Sequence, residues 1–149
     1  MSPLGSSLDA RPGLVPVGIT EHSSGPESVD TSVLVGLDQL GLPEDKDFVR
    51  NLLRMYLAGT GATIAALRAA AAPADSAELK RLAHALTGSS SSLGAIALAD
   101  LCRSLERAVS SGEMALVPPC VEAVARESER VNRRFEEEVR RRAVPQPVL

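Results

Sequence analysis

Apolar residues recur every three or four positions along most of the chain after about residue 30, which is the period of an α-helix with one buried face. No stretch alternates apolar and polar residues as a half-buried strand does. Residues that start or stop helices divide the pattern into five predicted helices, over about 33–40, 43–71, 76–93, 95–110 and 114–142. We therefore predict an all-α fold, an antiparallel four-helix bundle with an additional short N-terminal helix.

Particular residues define the predicted helix boundaries. Asp30 or Thr31 can cap the first helix, and Pro43 suits the first turn of the second. Gly94 can adopt the left-handed conformation that closes many helices, which places a turn between the third and fourth helices. Pro118 lies in the first turn of the fifth helix or just before it, so the start of that helix is left open.

Composition divides the chain into three segments. Residues 1–29 are rich in Ser, Pro and Gly and follow no helical or strand period, so we expect a disordered leader there. The bundle domain is expected over 30–142, and a frayed tail over 143–149. His22 lies in the leader and is assigned no role.

Charge and composition exclude several classes of function. The net charge is −3 and aromatic residues make up only 2%, which offers neither a basic field nor a stacking platform for nucleic acid. No apolar run approaches the ~18 residues of a membrane span, and no signal-peptide pattern begins the chain. We therefore expect a cytoplasmic protein with no nucleic-acid or membrane partner. Cys102 and Cys120 lack metal-ligand spacing and are expected to be free, buried thiols.

The third predicted helix carries a histidine away from its apolar stripe. At 100° per residue, leucines 79, 82 and 86 face the core, whereas His84 faces solvent near the middle of the helix. An exposed imidazole can offer an unprotonated nitrogen that attacks phosphorus. The three-and-four rule places Lys80, Thr87, Gly88 and Ser91 on the same face as His84.

Each of these neighbours has a functional and a structural interpretation. Glycine costs about 1 kcal/mol in a helix interior, so Gly88 indicates a need for space, either beside the imidazole or for close helix packing. Lys80 and Ser91 can approach a phosphoryl group as cation and hydroxyl. The alternative is a solvated charge at Lys80, and packing or solvent exposure at Ser91. Ser90 faces inward, and its hydroxyl is expected to bond the backbone one turn back.

Two segments resemble a known family. HALTGSSSSLGA, residues 84–95, resembles the signature of histidine-containing phosphotransfer (Hpt) domains, in which a histidine precedes Lys-Gly-Ser, small residues and Leu-Gly-Ala. LADLCRSLERA, residues 98–108, is similar to the segment that follows in that family. The resemblance covers about residues 31–140. It implies that His84 accepts a phosphoryl group from the phospho-aspartate of a receiver domain and passes it to another receiver.

The resemblance also implies the partners and the absence of a cofactor. The expected partners are response-regulator receiver domains and a hybrid sensor histidine kinase. The chain is expected to have no kinase activity and to bind no metal or other cofactor, because the magnesium belongs to the receiver. A carrier with a complete bundle is expected to be monomeric. An apolar docking contact beside His84, or else a cap on the core, is expected from residues of the first helix: Val33, Leu34, Leu37 and Leu40.

One departure from the family leaves an alternative open. Thr87 stands where the family usually has lysine, and we hypothesise that Lys80 partly takes its place. The alternative function is a degenerate, non-phosphorylated adaptor that binds a kinase or response regulator. A di-metal carboxylate bundle is excluded, because neither histidine belongs to a Glu-x-x-His motif. Sensor-kinase dimerisation helices usually follow their histidine with an acidic residue, whereas Ala85 follows His84.

Overall fold

The computed structural model describes residues 28–41 and 47–143, and these ranges contain five α-helices and no strand. The helices are α1 (Thr31–Leu40), α2 (Phe48–Ala71), α3 (Ser76–Ser92), α4 (Ile96–Ser110) and α5 (Val117–Ala143). A short 3-10 helix, Met114–Leu116, leads into α5. The predicted all-α bundle with an additional N-terminal helix is confirmed.

Some predicted boundaries differ from the structure. The predicted start of the second helix at Pro43 lies outside the described residues, within which α2 begins at Phe48. The predicted fifth helix is a 3-10 helix followed by α5, with Pro118 in the first turn of α5, where a missing N–H breaks no helical hydrogen bond. Ser28 and Val29, which composition placed in the leader, are buried. Residues 1–27 and 144–149 lie outside the described ranges.

Helices α2 to α5 pack side by side around one core, each antiparallel to its neighbours in the order α2–α3–α4–α5, with α5 closing against α2. Aliphatic side chains and one aromatic pair fill this core. The rings of Tyr56 and Phe135 meet edge to face, with centroids 5.3 Å apart. Fully buried leucines come from α2, α3 and α4: Leu53, Leu67, Leu79, Leu98, Leu105.

The turn between α3 and α4 holds the start of α1. The backbone N–H of Asp30 donates to the carbonyl oxygen of Gly94 at 2.8 Å, while the Asp30 carboxylate accepts from the N–H of Ser32 and caps α1. Gly94 has φ +88°, and a Cβ added there would lie 2.5 Å from the carbonyl oxygen of Asp30. Glycine is therefore required at this turn for its conformation and for the approach of α1.

The far end of α1 is tied to the end of α5. Arg142 donates from Nη1 and Nη2 to the two carboxylate oxygens of Asp38, at 2.9 and 3.2 Å, and from Nε to Glu138 at 3.3 Å. Glu138 is buried, but its arginine partners hold the pKa of its carboxyl below the usual value against the opposing effect of burial. Contacts at both ends thus keep α1 against the four-helix bundle.

Replacing Gly94 by alanine is expected to lower the free energy of unfolding by about 1 to 3 kcal/mol from backbone strain, with a further loss because α1 must move. Gly112→Ala is the matched control: Gly112 has φ +76°, but a Cβ there meets nothing within 4 Å. Urea denaturation followed by circular dichroism measures both. Equal losses in the two variants would contradict a close approach between Gly94 and α1.

Candidate functional site

His84 lies near the middle of α3, on a helix with a well-defined start. The side chain of Asp75 caps α3 by accepting from the N–H of Glu78 at 3.2 Å. The apolar stripe of α3 is buried, including Leu79, Leu82 and Leu86. The His84 side chain is 82% exposed, as the helical pattern predicted. A rigid helix therefore presents this imidazole to solvent.

The imidazole contacts a carboxylate from the next helix. Nδ1 of His84 lies 3.3 Å from Oε2 of Glu106 on α4. A carboxylate only accepts hydrogen bonds, so Glu106 favours a proton on Nδ1. With Nδ1 protonated and turned toward α4, Nε2 keeps its lone pair on the exposed side of the ring.

Sequence reasoning missed Glu106 as a site residue. It lies within residues 98–108, the second segment that resembles the family, but the apolar and polar pattern of that segment does not single it out. A signal was present, because His84 and Glu106 lie at similar distances along the chain on either side of Gly94. In an antiparallel helix pair, residues placed in that way come level with each other. Which of the residues near that level faces the histidine depends on the rotation of α4, which the spacing does not determine.

Gly88 leaves an open space one turn after His84. A Cβ added to Gly88 would meet nothing within 4 Å. The interpretation in which this glycine permits close helix packing within the chain is therefore wrong, and the interpretation in which it keeps space free near the imidazole remains. Ser91, a further turn along, is half-buried, and its hydroxyl donates to the carbonyl oxygen of Gly88 at 3.3 Å.

Two neighbours differ from their sequence predictions. Thr87 was expected on the exposed face of His84, but it is only 9% exposed, beside the Cys102 thiol, and its hydroxyl donates to the carbonyl of Ala83 at 2.8 Å. Thr87 lies on the side of α3 that faces α4, and α4 covers it. Ser90 was expected to bond the backbone, but its hydroxyl lies 3.0 Å from the Tyr56 hydroxyl. Burial raises the pKa of Tyr56, so both groups stay neutral hydroxyls at physiological pH.

The predicted docking residues are mostly engaged in packing. Leu34 is 1% exposed and belongs to the core, which corrects its assignment to the docking face. Val33 and Leu37 are half-buried. In the described part of the chain, the exposed large hydrophobic residues are Val35, Leu40, Met55 and Ile96, of which only Leu40 was expected on the docking face. Val35 and Leu40 lie on α1 and Ile96 begins α4, while Met55 lies in the third turn of α2.

The two cysteines are free and buried, as expected. Burial, with a smaller contribution from the nearby Glu106 carboxylate, raises the pKa of the Cys102 thiol to about 12. This thiol therefore stays protonated under physiological conditions. Cys102 is a packing residue of α4 and lies against Thr87 of α3.

A cavity of the bundle lies away from His84, and the described residues contain no metal-type cluster. The best-defined cavity among residues 28–41 and 47–143 has a volume of about 290 Å³ and is lined by Arg68, Ala71, Ala72, Pro118, Val121 and Glu122, at the other end of the bundle from α1. No group of three or more His, Cys, Asp and Glu side chains in these ranges could hold a metal ion. A helix long and apolar enough to cross a membrane is also absent from them.

The site is thus an exposed histidine on a rigid helical bundle, with a carboxylate at Nδ1. The family model for the Hpt domain matches residues 51–140, which include both His84 and Glu106. The chain belongs to the Hpt family. It is a histidine phosphotransfer protein of two-component phosphorelay signalling, and proteins of this kind are phosphocarriers that interact with receiver domains and histidine kinases.

A solved structure agrees with this assignment. The chain is similar to the crystal structure of histidine-containing phosphotransfer protein B from Pseudomonas aeruginosa PAO1, with a TM-score of 0.70 and 31% sequence identity. The match covers 76% of this chain and 96% of that chain. A comparison with curated protein sequences found no match.

Proposed function

We propose that Nε2 of His84 accepts a phosphoryl group from the phospho-aspartate of one receiver domain and passes it to the aspartate of another. The observation that carries this proposal is the contact of 3.3 Å between Nδ1 of His84 and Glu106. It directs the lone pair of Nε2 away from α4, and because the His84 side chain is 82% exposed, an incoming phosphoryl group can reach that nitrogen from solvent.

The contact with Glu106 lets the transfer proceed without moving a proton on this chain. The Nε2 lone pair attacks phosphorus, the bond from phosphorus to the aspartate oxygen breaks, and its electron pair leaves with the carboxylate. The imidazole then carries a positive charge that faces Glu106. In the onward transfer, a carboxylate oxygen of the second receiver's aspartate forms a bond to phosphorus while the bond between phosphorus and Nε2 breaks, and the electron pair of that bond returns to the ring while Nδ1 keeps its proton.

The remaining requirements of phosphoryl transfer are assigned to the partner. Such reactions depend on positioning and on charge neutralisation, and much of the latter is supplied by a metal ion. We place the magnesium on the receiver domain, and we assign this chain no kinase activity and no cofactor. The protein is proposed to act as a cytoplasmic monomer without nucleic-acid or membrane partners, and to receive its phosphoryl group from the receiver of a hybrid sensor histidine kinase.

The exposed apolar residues at the α1 end are proposed to form part of the receiver-docking surface. Among the described residues, the large hydrophobic side chains exposed at the surface are Val35 and Leu40 on α1, Met55 on α2 and Ile96 on α4. Eight residues of helix separate His84 from the end of α3, a rise of about 12 Å. One receiver domain can therefore cover both His84 and this apolar end, and bury surface that is costly to leave in water.

Phosphoryl uptake tests the proposal. The purified chain is incubated with a phosphorylated receiver domain and magnesium, and the modified residue is located by mass spectrometry under alkaline conditions that preserve phosphohistidine. We expect acid-labile phosphate on His84, and loss of that phosphate when a second, unphosphorylated receiver is added. Stable phosphate on a serine or threonine, or no uptake from any of several receivers, would contradict the proposal.

The adaptor remains a second candidate because of one observation. Thr87 is buried and hydrogen-bonded, so this position supplies no cation to a phosphoryl group on His84. An adaptor would bind a receiver or kinase with the same affinity whether His84 is present or replaced by glutamine, and would take up no phosphate. Calorimetric titration of a receiver, run beside the uptake assay, separates the two functions.

A further inference from the structure

A phosphoryl group on His84 creates a local excess of negative charge. A phosphate monoester on a side chain carries about −1.5 to −2 at neutral pH, and a phosphoryl group on Nε2 brings a comparable charge. The carboxylate of Glu106, 3.3 Å from Nδ1, offsets the positive charge of the phosphorylated ring, so the charge on the phosphoryl oxygens is not balanced by the ring. A cation near Nε2 would balance it and form charge-assisted hydrogen bonds to those oxygens.

Three arginines on α3 and α4 lie within three residues of His84 or Glu106 along the chain, and each already has a partner. Arg81 donates from Nε and Nη2 to the Glu78 carboxylate, at 3.0 and 2.6 Å. Arg103 donates to Asp100 at 2.8 Å, and Arg107 donates to the hydroxyl of Ser104 at 3.0 Å. Recruiting any of them would first require breaking these contacts.

Lys80 differs from these arginines. It is exposed, and it forms no ion pair or side-chain hydrogen bond with any residue in the described ranges. It precedes His84 by four residues, which places the two side chains on one face of α3, about 40° apart around the helix axis. Its ammonium group can therefore turn toward His84 without giving up a partner.

The direction in which helical side chains point also favours a contact to the phosphoryl group from the turn that carries Lys80. Bonds from Cα to Cβ tilt toward the helix N-terminus, so the His84 ring covers surface over the preceding turn rather than over Thr87 and Gly88. The Lys80 side chain has the same tilt and must fold back to reach the ring. Four methylene groups provide the length for this, while the loss of rotamer freedom limits the gain.

We infer that Lys80, one turn before His84, binds the phosphoryl group that His84 carries. Thr87, three residues after the histidine, is buried and has no charge to offer. This inference rests on the proposed function for its biological meaning, but the contact itself can be tested with a small-molecule donor. Lys80 holds the phosphoryl group through hydrogen bonds that are formed in phosphohistidine itself, and an interaction that favours the ground state over the transition state slows a reaction. We therefore expect this contact to slow the loss of the phosphoryl group by hydrolysis.

The test uses the full chain carrying His22→Gln, in which His84 is the one remaining histidine, phosphorylated with potassium phosphoramidate, with and without substitutions at Lys80. The phosphohistidine half-life of Lys80→Ala and Lys80→Gln is expected to be shorter than that of the wild type by about 3- to 10-fold, the effect of losing one exposed charge-assisted hydrogen bond. Lys80→Arg should restore most of the half-life. The phosphorus-31 resonance of phospho-His84 should shift in Lys80→Ala, which reports a direct contact.

Arg81→Ala is the matched control, because it removes the same charge from the adjacent residue, where the guanidinium is already paired with Glu78. An unchanged half-life and phosphorus-31 resonance in Lys80→Ala would overturn the inference, and so would an equal effect of Arg81→Ala. Phosphoramidate labels His84 independently of any receiver. If no receiver labels the wild type, the proposed function fails, while the half-lives still decide the role of Lys80.

Discussion

The His84→Gln variant is expected to take up no acid-labile phosphate from any receiver domain, a loss below the detection limit of the assay. Glutamine fills a similar volume and keeps polar atoms at the surface, but its amide nitrogen has no lone pair available to attack phosphorus. The His84 side chain is 82% exposed, so the free energy of unfolding should change by no more than about 0.5 kcal/mol. Radiolabel transfer from a phosphorylated receiver measures the uptake, and urea denaturation measures the stability.

His22→Gln is the matched control, since His22 is the other histidine of the chain. It should accept phosphate at the wild-type rate. If His84→Gln took up phosphate and His22→Gln did not, the acceptor would be His22, and the assignment of the site to His84 would be wrong. Equal labelling of both variants would point to a residue other than histidine.

Replacing Glu106 is expected to give the second-largest effect. Glu106→Ala should slow phosphoryl transfer at saturating receiver by about 10- to 100-fold, because the imidazole loses both the group that orients it and the charge that balances the phosphorylated ring. Glu106→Gln can still accept a hydrogen bond from Nδ1 through Oε1 but has no charge, so a smaller loss, about 3- to 10-fold, is expected.

A nitrogen-15 spectrum of the His84 ring distinguishes positioning from a general structural effect. The fraction of the neutral ring protonated on Nδ1 should fall in Glu106→Ala and persist in part in Glu106→Gln. Glu113→Ala removes the same charge in the turn after α4 and should leave both the spectrum and the rate unchanged. A wild-type tautomer ratio and transfer rate in Glu106→Ala would show that this carboxylate does not act on the histidine.

The sequence alone was sufficient for the fold and for the exposure of His84. Apolar spacing of three and four residues recurs in every helix because each buries one face, and this local regularity needs no knowledge of the neighbours. Gly94 as a stop and Asp30 as a cap are likewise local signals, and the structure contains both. The resemblance of residues 84–95 and 98–108 to the Hpt family was sufficient for the class of protein, which the family match confirms.

Tertiary packing decided the features that depend on the rotation and relative height of two helices. The angle around α3 separates Thr87 from His84 by only about 60°, yet α4 buries one and leaves the other in solvent. Packing likewise places Leu34 in the core and pairs the hydroxyl of Ser90 with that of Tyr56 on α2. It also places the Glu106 carboxylate beside Nδ1 of His84. A periodic pattern specifies which face of a helix is apolar, but side chains at the edge of that face are assigned by the neighbouring helix. The residues that surround His84 stand at such an edge, and so the sequence identified the histidine while only the packed bundle identified its carboxylate.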